Sequence, residues 1–255
     1  MVFVLHGSNG NGNKVRQQSG FQFDLLAEES GALIVYPDGI EGHWNDCRAL
    51  ASYSANKLNI NDPAFFDVII EKLIKDLDID RARVFAAGFS NGGQMAFRLG
   101  LERPNKFRGI AAISANMPVA ENSDCEPSGQ AISVAIFNGD LDPTNPYNGG
   151  SVEIYGETSR GAVTSSLESA DYRAKLARPL QSTQTIEHDE IDADPDTAVR
   201  QQRCTIADGK QIRLYQFAGS GHVIPFAGAQ FPRVRGPVGR DLSAPQQIIE
   251  FFEAI

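Results

Sequence analysis

The run Val84-Phe85-Ala86-Ala87-Gly88-Phe89-Ser90-Asn91-Gly92-Gly93 constrains this chain more than any other feature. An apolar, strand-like stretch ends in GxSxG and passes straight into a helical pattern, with Met95, Leu99 and Leu101 at near-helical spacing before Pro104. A serine so placed sits on a sharp strand-to-helix turn in strained backbone, where side chains at Gly88 and Gly92 would collide. The pattern marks Ser90 as a candidate nucleophile for acyl transfer. GxSxG alone is a weak signal, so the rest of the sequence has to supply the remainder of a site.

Composition narrows the alternatives. The chain has 255 residues, 42% of them hydrophobic and 22% charged, and no low-complexity linker divides it, so one α/β domain over 1–255 is expected. No apolar run approaches the roughly 20 residues that span a bilayer, which predicts a soluble protein with no membrane partner. The net charge is -9 and the basic residues are scattered, which excludes a phosphate-binding stripe and with it nucleic acid as a partner. Cys47, Cys125 and Cys204 show neither CxxC nor Cys/His metal spacing, so no zinc site is expected, and their pairing is open. Residues 1–5 already read as a buried strand with no leader pattern before them. Either the protein is cytoplasmic as written, or an upstream segment belongs to it and secretion follows. Oligomeric state is not legible.

Strand-like runs recur at 2–5, 33–36, 84–87, 110–113, 133–137 and 213–217, with helical patterns between most of them. The clearest helix opens with Asp62 as N-cap and Pro63 at its first position, and places Phe66, Ile69, Ile70, Leu73, Ile74 and Leu77 on one face. A last helix over 245–255 carries a stripe of Ile248, Phe251, Phe252 and Ile255. This alternation predicts a mostly parallel, doubly wound sheet with its active site at the carboxyl ends of the strands. The segment 147–205 breaks the rhythm with an alternation at 151–155, a helix pattern at 163–176 and an acidic stretch at 187–196. It reads as an excursion before the last strand. Asp192, Asp194 and Asp196 alternate as calcium ligands can, but without the glycine turn and distal glutamate of an EF-hand loop they read as solvated surface.

A serine nucleophile needs a general base, and that base needs a carboxylate to orient it. His222, in the loop Gly219-Ser220-Gly221-His222 after the last strand, stands where the base belongs; His43 and His188 are the alternatives, and His6 reads as structural. Asp140 and Asp142 both follow the strand 133–137; Asp142, before Pro143, can project from the turn while Asp140 caps it. Two backbone N–H groups must hold the oxyanion, and these are assigned to Asn91 and to Ser8 in the Gly-rich loop after the first strand. That loop is no P-loop, because Asn13 stands where lysine must be, and its glycines do not fall as GxGxxG.

Leu5-His6-Gly7-Ser8, Tyr36-Pro37-Asp38-Gly39 with Trp44-Asn45-Asp46, the Ser90 motif, Asn138-Gly139-Asp140-Leu141-Asp142-Pro143 with Pro146-Tyr147, and Gly219-Ser220-Gly221-His222 occur together and in order. Together they resemble the polyhydroxybutyrate depolymerase/feruloyl esterase family of α/β-hydrolases, over almost the whole chain and including Arg160-Gly161. The resemblance implies a Ser90-His222-Asp142 triad, oxyanion donors at Ser8 and Asn91, Trp44 lining the pocket, no cofactor, and a small or oligomeric ester as substrate. It selects Asp142 over Asp140. Three departures stand out: the strands that usually precede the first loop are absent, Val223-Ile224-Pro225 replaces a usual Thr-Trp-Pro, and Asn138 stands where histidine is usual. Feruloyl or short-chain esters, acetylated xylan and polyhydroxyalkanoates all fit such a triad. Outside esterases, a serine peptidase or a silent interaction module would share the motif.

Overall fold

The computed structural model describes residues 1–154, 156–176, 179–189, 196–206 and 208–255. Strand β1 (Val2–Leu5) leads into α1 (Gly12–Gln18), α2 (Gln22–Ser30) and β2 (Ile34–Val35). A short α3 (Ser54–Lys57) and the long α4 (Asp62–Leu77) precede β3 (Phe85–Phe89), α5 (Asn91–Glu102), β4 (Gly109–Ile113) and β5 (Ser133–Gly139). Then come the small pair β6 (Gly150–Ser151) and β7 (Ala162–Val163), α6 (Ser166–Leu176), β8 (Leu180–Glu187), β9 (Ala198–Ile206), β10 (Gln211–Ala218) and α7 (Ala244–Glu253).

The main sheet has the order β2-β1-β3-β4-β5-β10-β9-β8. It is parallel from β2 to β10, and β9 and β8 add antiparallel strands at one edge. The parallel strands are apolar on both faces because helices cover both. Along β1, Phe3 and Leu5 face a core with Phe66 and Ile70 of α4 and Met95, Phe97 and Leu99 of α5. Val2 and Val4 face the opposite core, with Phe23 of α2 and Ile248, Phe251 and Phe252 of α7. Phe89, Ile113, Phe137 and Tyr215 stand in one cross-strand row, so the loops after β3, β4, β5 and β10 leave the sheet level with one another.

The excursion is built into this sheet. Strands β8 and β9 come from within it, a feature the sequence pattern does not reveal because almost every side chain of β8 is exposed and no apolar alternation marks it. Helix α6 starts at Ser166, because Val163 belongs to β7 instead, and of the alternation expected at 151–155 only Ser151 lies in a strand, β6, which begins at Gly150. Tyr155 and the acidic positions Asp192 and Asp194 lie outside the described residues. Among the described residues no group of three or more acidic, histidine or cysteine side chains could hold a metal, and no helix is long and apolar enough to cross a membrane. Arg173 of α6 is fully buried and donates from Nη2 to the Gly100 carbonyl near the C-terminal end of α5 at 3.1 Å. That bond ties the excursion to the helix that follows Ser90, with the sign a helix C-terminus favours.

Two local expectations are corrected. Asn61, not Asp62, caps α4: its side chain accepts from the Ala64 N–H at 3.1 Å. The Asp62 carboxylate turns inward to accept from the Asn45 N–H at 2.7 Å. Leu77 is exposed, so the buried stripe of α4 rests on Phe66 and Ile70. A disulfide joins Cys47 to Cys125, 78 positions apart, and Cys204 is a free thiol.

Burial pushes Asp62 up to about 6, against the opposing pull of the Asn45 N–H and Arg98. The folded state therefore binds this proton more tightly than the unfolded chain does. Its stabilising contribution is full below about pH 4 and is lost as pH rises through 6. Asp62→Asn, which keeps an oxygen for the Asn45 N–H, should gain on the wild type by about 2 kcal/mol between pH 4 and pH 7 in urea denaturation. Replacing Cys47 and Cys125 together by serine should cost about 4 kcal/mol, the value expected for opening so long a covalent loop. The fall in denaturation midpoint measures it.

Candidate active site

The turn after β3 is forced by what flanks it. Ser90 has φ 56° and ψ -120°, a left-handed conformation that a non-glycine residue adopts only when its surroundings hold it there. Its N–H donates to the Ile113 carbonyl at 2.9 Å, and its carbonyl accepts from the Gln94 N–H at 2.9 Å. A Cβ at Gly88 would lie 2.1 Å from the Gly92 carbonyl oxygen, and one at Gly92 would lie 2.4 Å from the Leu5 carbonyl oxygen. Both glycines are thus required by close backbone approach.

Three side chains meet at the carboxyl end of the sheet. Ser90 Oγ lies 2.9 Å from His222 Nε2, and His222 Nδ1 lies 2.7 Å from Asp142 Oδ2. A carboxylate can only accept, so Nδ1 carries the proton and Nε2 is left to accept from the serine hydroxyl. Asp142 is held in turn by the N–H groups of Thr144 and Asn145, both on Oδ1 at 2.7 and 2.8 Å. Asp140 does other work: it accepts from the Gly219 N–H at 2.8 Å and so ties the turn after β5 to the loop that carries His222. The His222 N–H donates to the Arg235 carbonyl at 2.6 Å, and Ser114 Oγ donates to the neighbouring Val223 carbonyl at 3.0 Å. Ser114, itself at φ 51°, is a support that no sequence motif marks.

The other histidines stand elsewhere. His6 is fully buried; its Nε2 accepts from the Gly39 N–H at 2.9 Å while Nδ1 donates to the Gly7 carbonyl at 2.8 Å, and burial lowers its pKa. This histidine braces the first loop. His188 lies beside Gln201 on β9, away from Ser90. His43 lines the cleft, stacked on Tyr53 at 4.3 Å between ring centres, and burial lowers its pKa.

Ser8 and Asn91 flank the nucleophile. A Cβ built on Gly7 would lie 3.2 Å from Ser90 Cβ, which brings the first loop against the serine. Asn91 is the first residue of α5, so its N–H has no acceptor within the helix. Its side chain is fully engaged: Oδ1 accepts from the Trp44 N–H at 2.9 Å, and Nδ2 donates to the Trp44 carbonyl and to Asp46 Oδ2 at 3.1 and 2.6 Å. Asp46 is buried and paired with Arg48 at 2.5 Å; burial opposes the Arg48 charge, but Asp46 more than offsets this and its pKa is raised.

Trp44 is corrected. It is fully buried in the core and does not line the cleft. The indole N–H donates to the His6 carbonyl at 3.0 Å, and the ring packs between His6 and Phe66, so the tryptophan buttresses the Ser90 turn from behind. Tyr53 and Phe89 are aromatic residues that do line the cleft, and Arg160 reaches the Tyr53 wall from the excursion. The cleft, of about 550 Å³, also takes in Ser8, Ser90 and His222. Arg160 belonged to the sequence resemblance without a role; Tyr53 had no local signal.

Residues 38–156 match the Phospholipase/Carboxylesterase family. The chain is 27% identical to "Putative esterase NocK" of Nocardia uniformis subsp. tsuyamanensis over 99% of its own length and 73% of that protein. It is 33% identical to Feruloyl esterase C of Emericella nidulans over 59% of its own length. The chain spans about half the length of that enzyme, 51%. Among solved structures, the acetyl xylan esterase from Aspergillus awamori shares the fold, with a TM-score of 0.58 at 14% identity over 100% of this chain and 88% of that one. The chain has the α/β-hydrolase fold, and the relatives it resembles in sequence are named as esterases.

Proposed function

We propose that this protein is a serine carboxylesterase that hydrolyses small or oligomeric carboxylic esters, feruloyl and short-chain acyl esters among them. The observation that carries the reading is the hydrogen-bonded line Ser90 Oγ, His222, Asp142, with the serine at a strained strand-to-helix turn. His222 Nε2 takes the hydroxyl proton as Ser90 Oγ attacks the ester carbonyl. Asp142 holds the ring and stabilises the imidazolium, while the Ser8 and Asn91 N–H groups receive the oxyanion. His222 then passes the proton to the leaving alcohol, and an acyl-serine remains. Water attacks it with His222 again as base, and the acid departs. Every proton has a donor and an acceptor among these side chains, so the cycle needs no cofactor.

The esterase relatives support the ester as substrate, and the names of the feruloyl esterases make a hydroxycinnamoyl ester the first one to test. The Cys47–Cys125 disulfide supports a place in an oxidising compartment, where such bonds persist.

Ser90→Ala should lower kcat on p-nitrophenyl acetate by on the order of 10⁴-fold or more with an unchanged thermal midpoint. Asp142→Asn should lower it by about 10²- to 10⁴-fold, since the amide no longer favours the imidazolium. A Ser90→Ala protein that turns over at the wild-type rate would sink the assignment. Asn91→Ala, which keeps the backbone N–H, should instead lower stability by about 2 kcal/mol through the unpaired Asp46 and Trp44 groups, read in urea denaturation.

A further inference from the structure

We propose that the cleft accepts esters bearing a carboxylate, with Arg160 as the residue that recognises it; this rests on the esterase reading and names a substrate class for the same site. Two guanidinium groups approach the Tyr53 ring, Arg48 at 5.7 Å and Arg160 at 5.4 Å from its centre. They differ in their electrostatic partners. Arg48 is neutralised by Asp46, whereas among the described residues Arg160 has no carboxylate partner. Its Nε donates to the neutral Tyr53 hydroxyl at 3.1 Å, and its Nη1 is shielded from solvent with no acceptor. A partly buried cation left in this state is costly unless an anion joins it.

The surroundings supply the rest of a carboxylate site. The Tyr53 oxygen accepts from both Arg160 Nε and Ser8 Oγ, at 3.1 and 3.0 Å, so its own proton remains to be donated. A guanidinium and a hydroxyl beside each other present two donors to the two oxygens of one carboxylate. Lys14 lines the same cleft, and its ammonium contacts the neutral Asn9 carbonyl at 3.0 Å. Glu153 is the acid on the cleft wall, with no ion pair to Arg160. The Arg160 charge is felt nearby: after burial, it is a further influence lowering the His43 pKa, against the Glu41 carbonyl. In a chain of net charge -9, cations set within the cleft are what an anionic substrate requires.

Arg160 lies in the excursion and is fixed in place by the connection after β4, where the Asn122 amide donates to its carbonyl at 3.1 Å. It stands two hydrogen bonds from Ser8, and Ser8 flanks Ser90. The recognised carboxylate therefore lies a short chain away from the scissile carbonyl, as in a half-ester of a dicarboxylic acid or an acyl ester of a hydroxybenzoate.

Two matched substrate pairs test this. The mono-p-nitrophenyl ester of glutarate is compared with p-nitrophenyl pentanoate, and 4-butyryloxybenzoate with its methyl ester. In at least one pair the charged member should have a kcat/KM about tenfold higher, a margin that narrows with added salt. Arg160→Gln should bring that ratio to about one, and Arg160→Lys should recover part of it. A preference for the neutral member in both pairs, or an Arg160→Gln loss equal on both members, overturns the inference. If the folded protein cleaves none of the four, nor p-nitrophenyl acetate, nor methyl ferulate, the esterase reading fails, and in the absence of turnover on the four glutarate binding by calorimetry decides the subsite alone. Binding weakened at least tenfold by Arg160→Gln upholds it, and undetectable or unchanged binding overturns it.

Discussion

Backbone contact at Ser90 sets the terms for the rest of the molecule. The strand β3 and the helix α5 approach so closely that neither Gly88 nor Gly92 has room for a side chain, and the first turn of α5 rests on the carbonyls that end β1. Holding a serine at φ 56° costs on the order of 1–3 kcal/mol, which the surrounding sheet has to supply. Two parallel neighbours do so. The Ile113 carbonyl of β4 takes the Ser90 N–H, and the loop after β1 presses against the serine from the other side.

A second layer locks that turn from behind. Asn91 clasps Trp44 and Asp46, Asp46 pairs with Arg48, and the Cys47–Cys125 disulfide pins the same short segment to the connection after β4. The bonds within this cluster are buried, where polar groups are valuable when paired and expensive when not. The proposed oxyanion donor Asn91 is therefore positioned by its own side chain, and the tryptophan that resemblance would put in a pocket becomes part of its foundation.

The excursion between β5 and β10 has two faces. Its strands β9 and β8 extend the sheet away from the site, and Arg173 of α6 secures the far end of α5. Its early part, between β6 and β7, returns to the cleft and delivers Arg160 beside Tyr53. A segment that interrupts the βα rhythm thus contributes an edge to the fold and a wall to the cleft.

The sequence by itself determined the parallel strands, which are continuous apolar runs, and the chain order of Ser90, Asp142 and His222, because glycine-bound turns and strand ends leave local signals. The choice of Asp142 over Asp140 came from the family resemblance, through the positions of Pro143 and Pro146. Only the tertiary structure decided where Trp44 lies, which residue caps α4, how β8 and β9 join the sheet, and that Tyr53 and Arg160 meet. Trp44 and Tyr53 are both buried aromatic residues near loops, and which one lines the cleft depends on Phe66, His6 and Arg48, which come from other segments of the chain. Local pattern encodes the path of the backbone; the fate of a side chain depends on partners that are distant in sequence and meet only when the sheet closes.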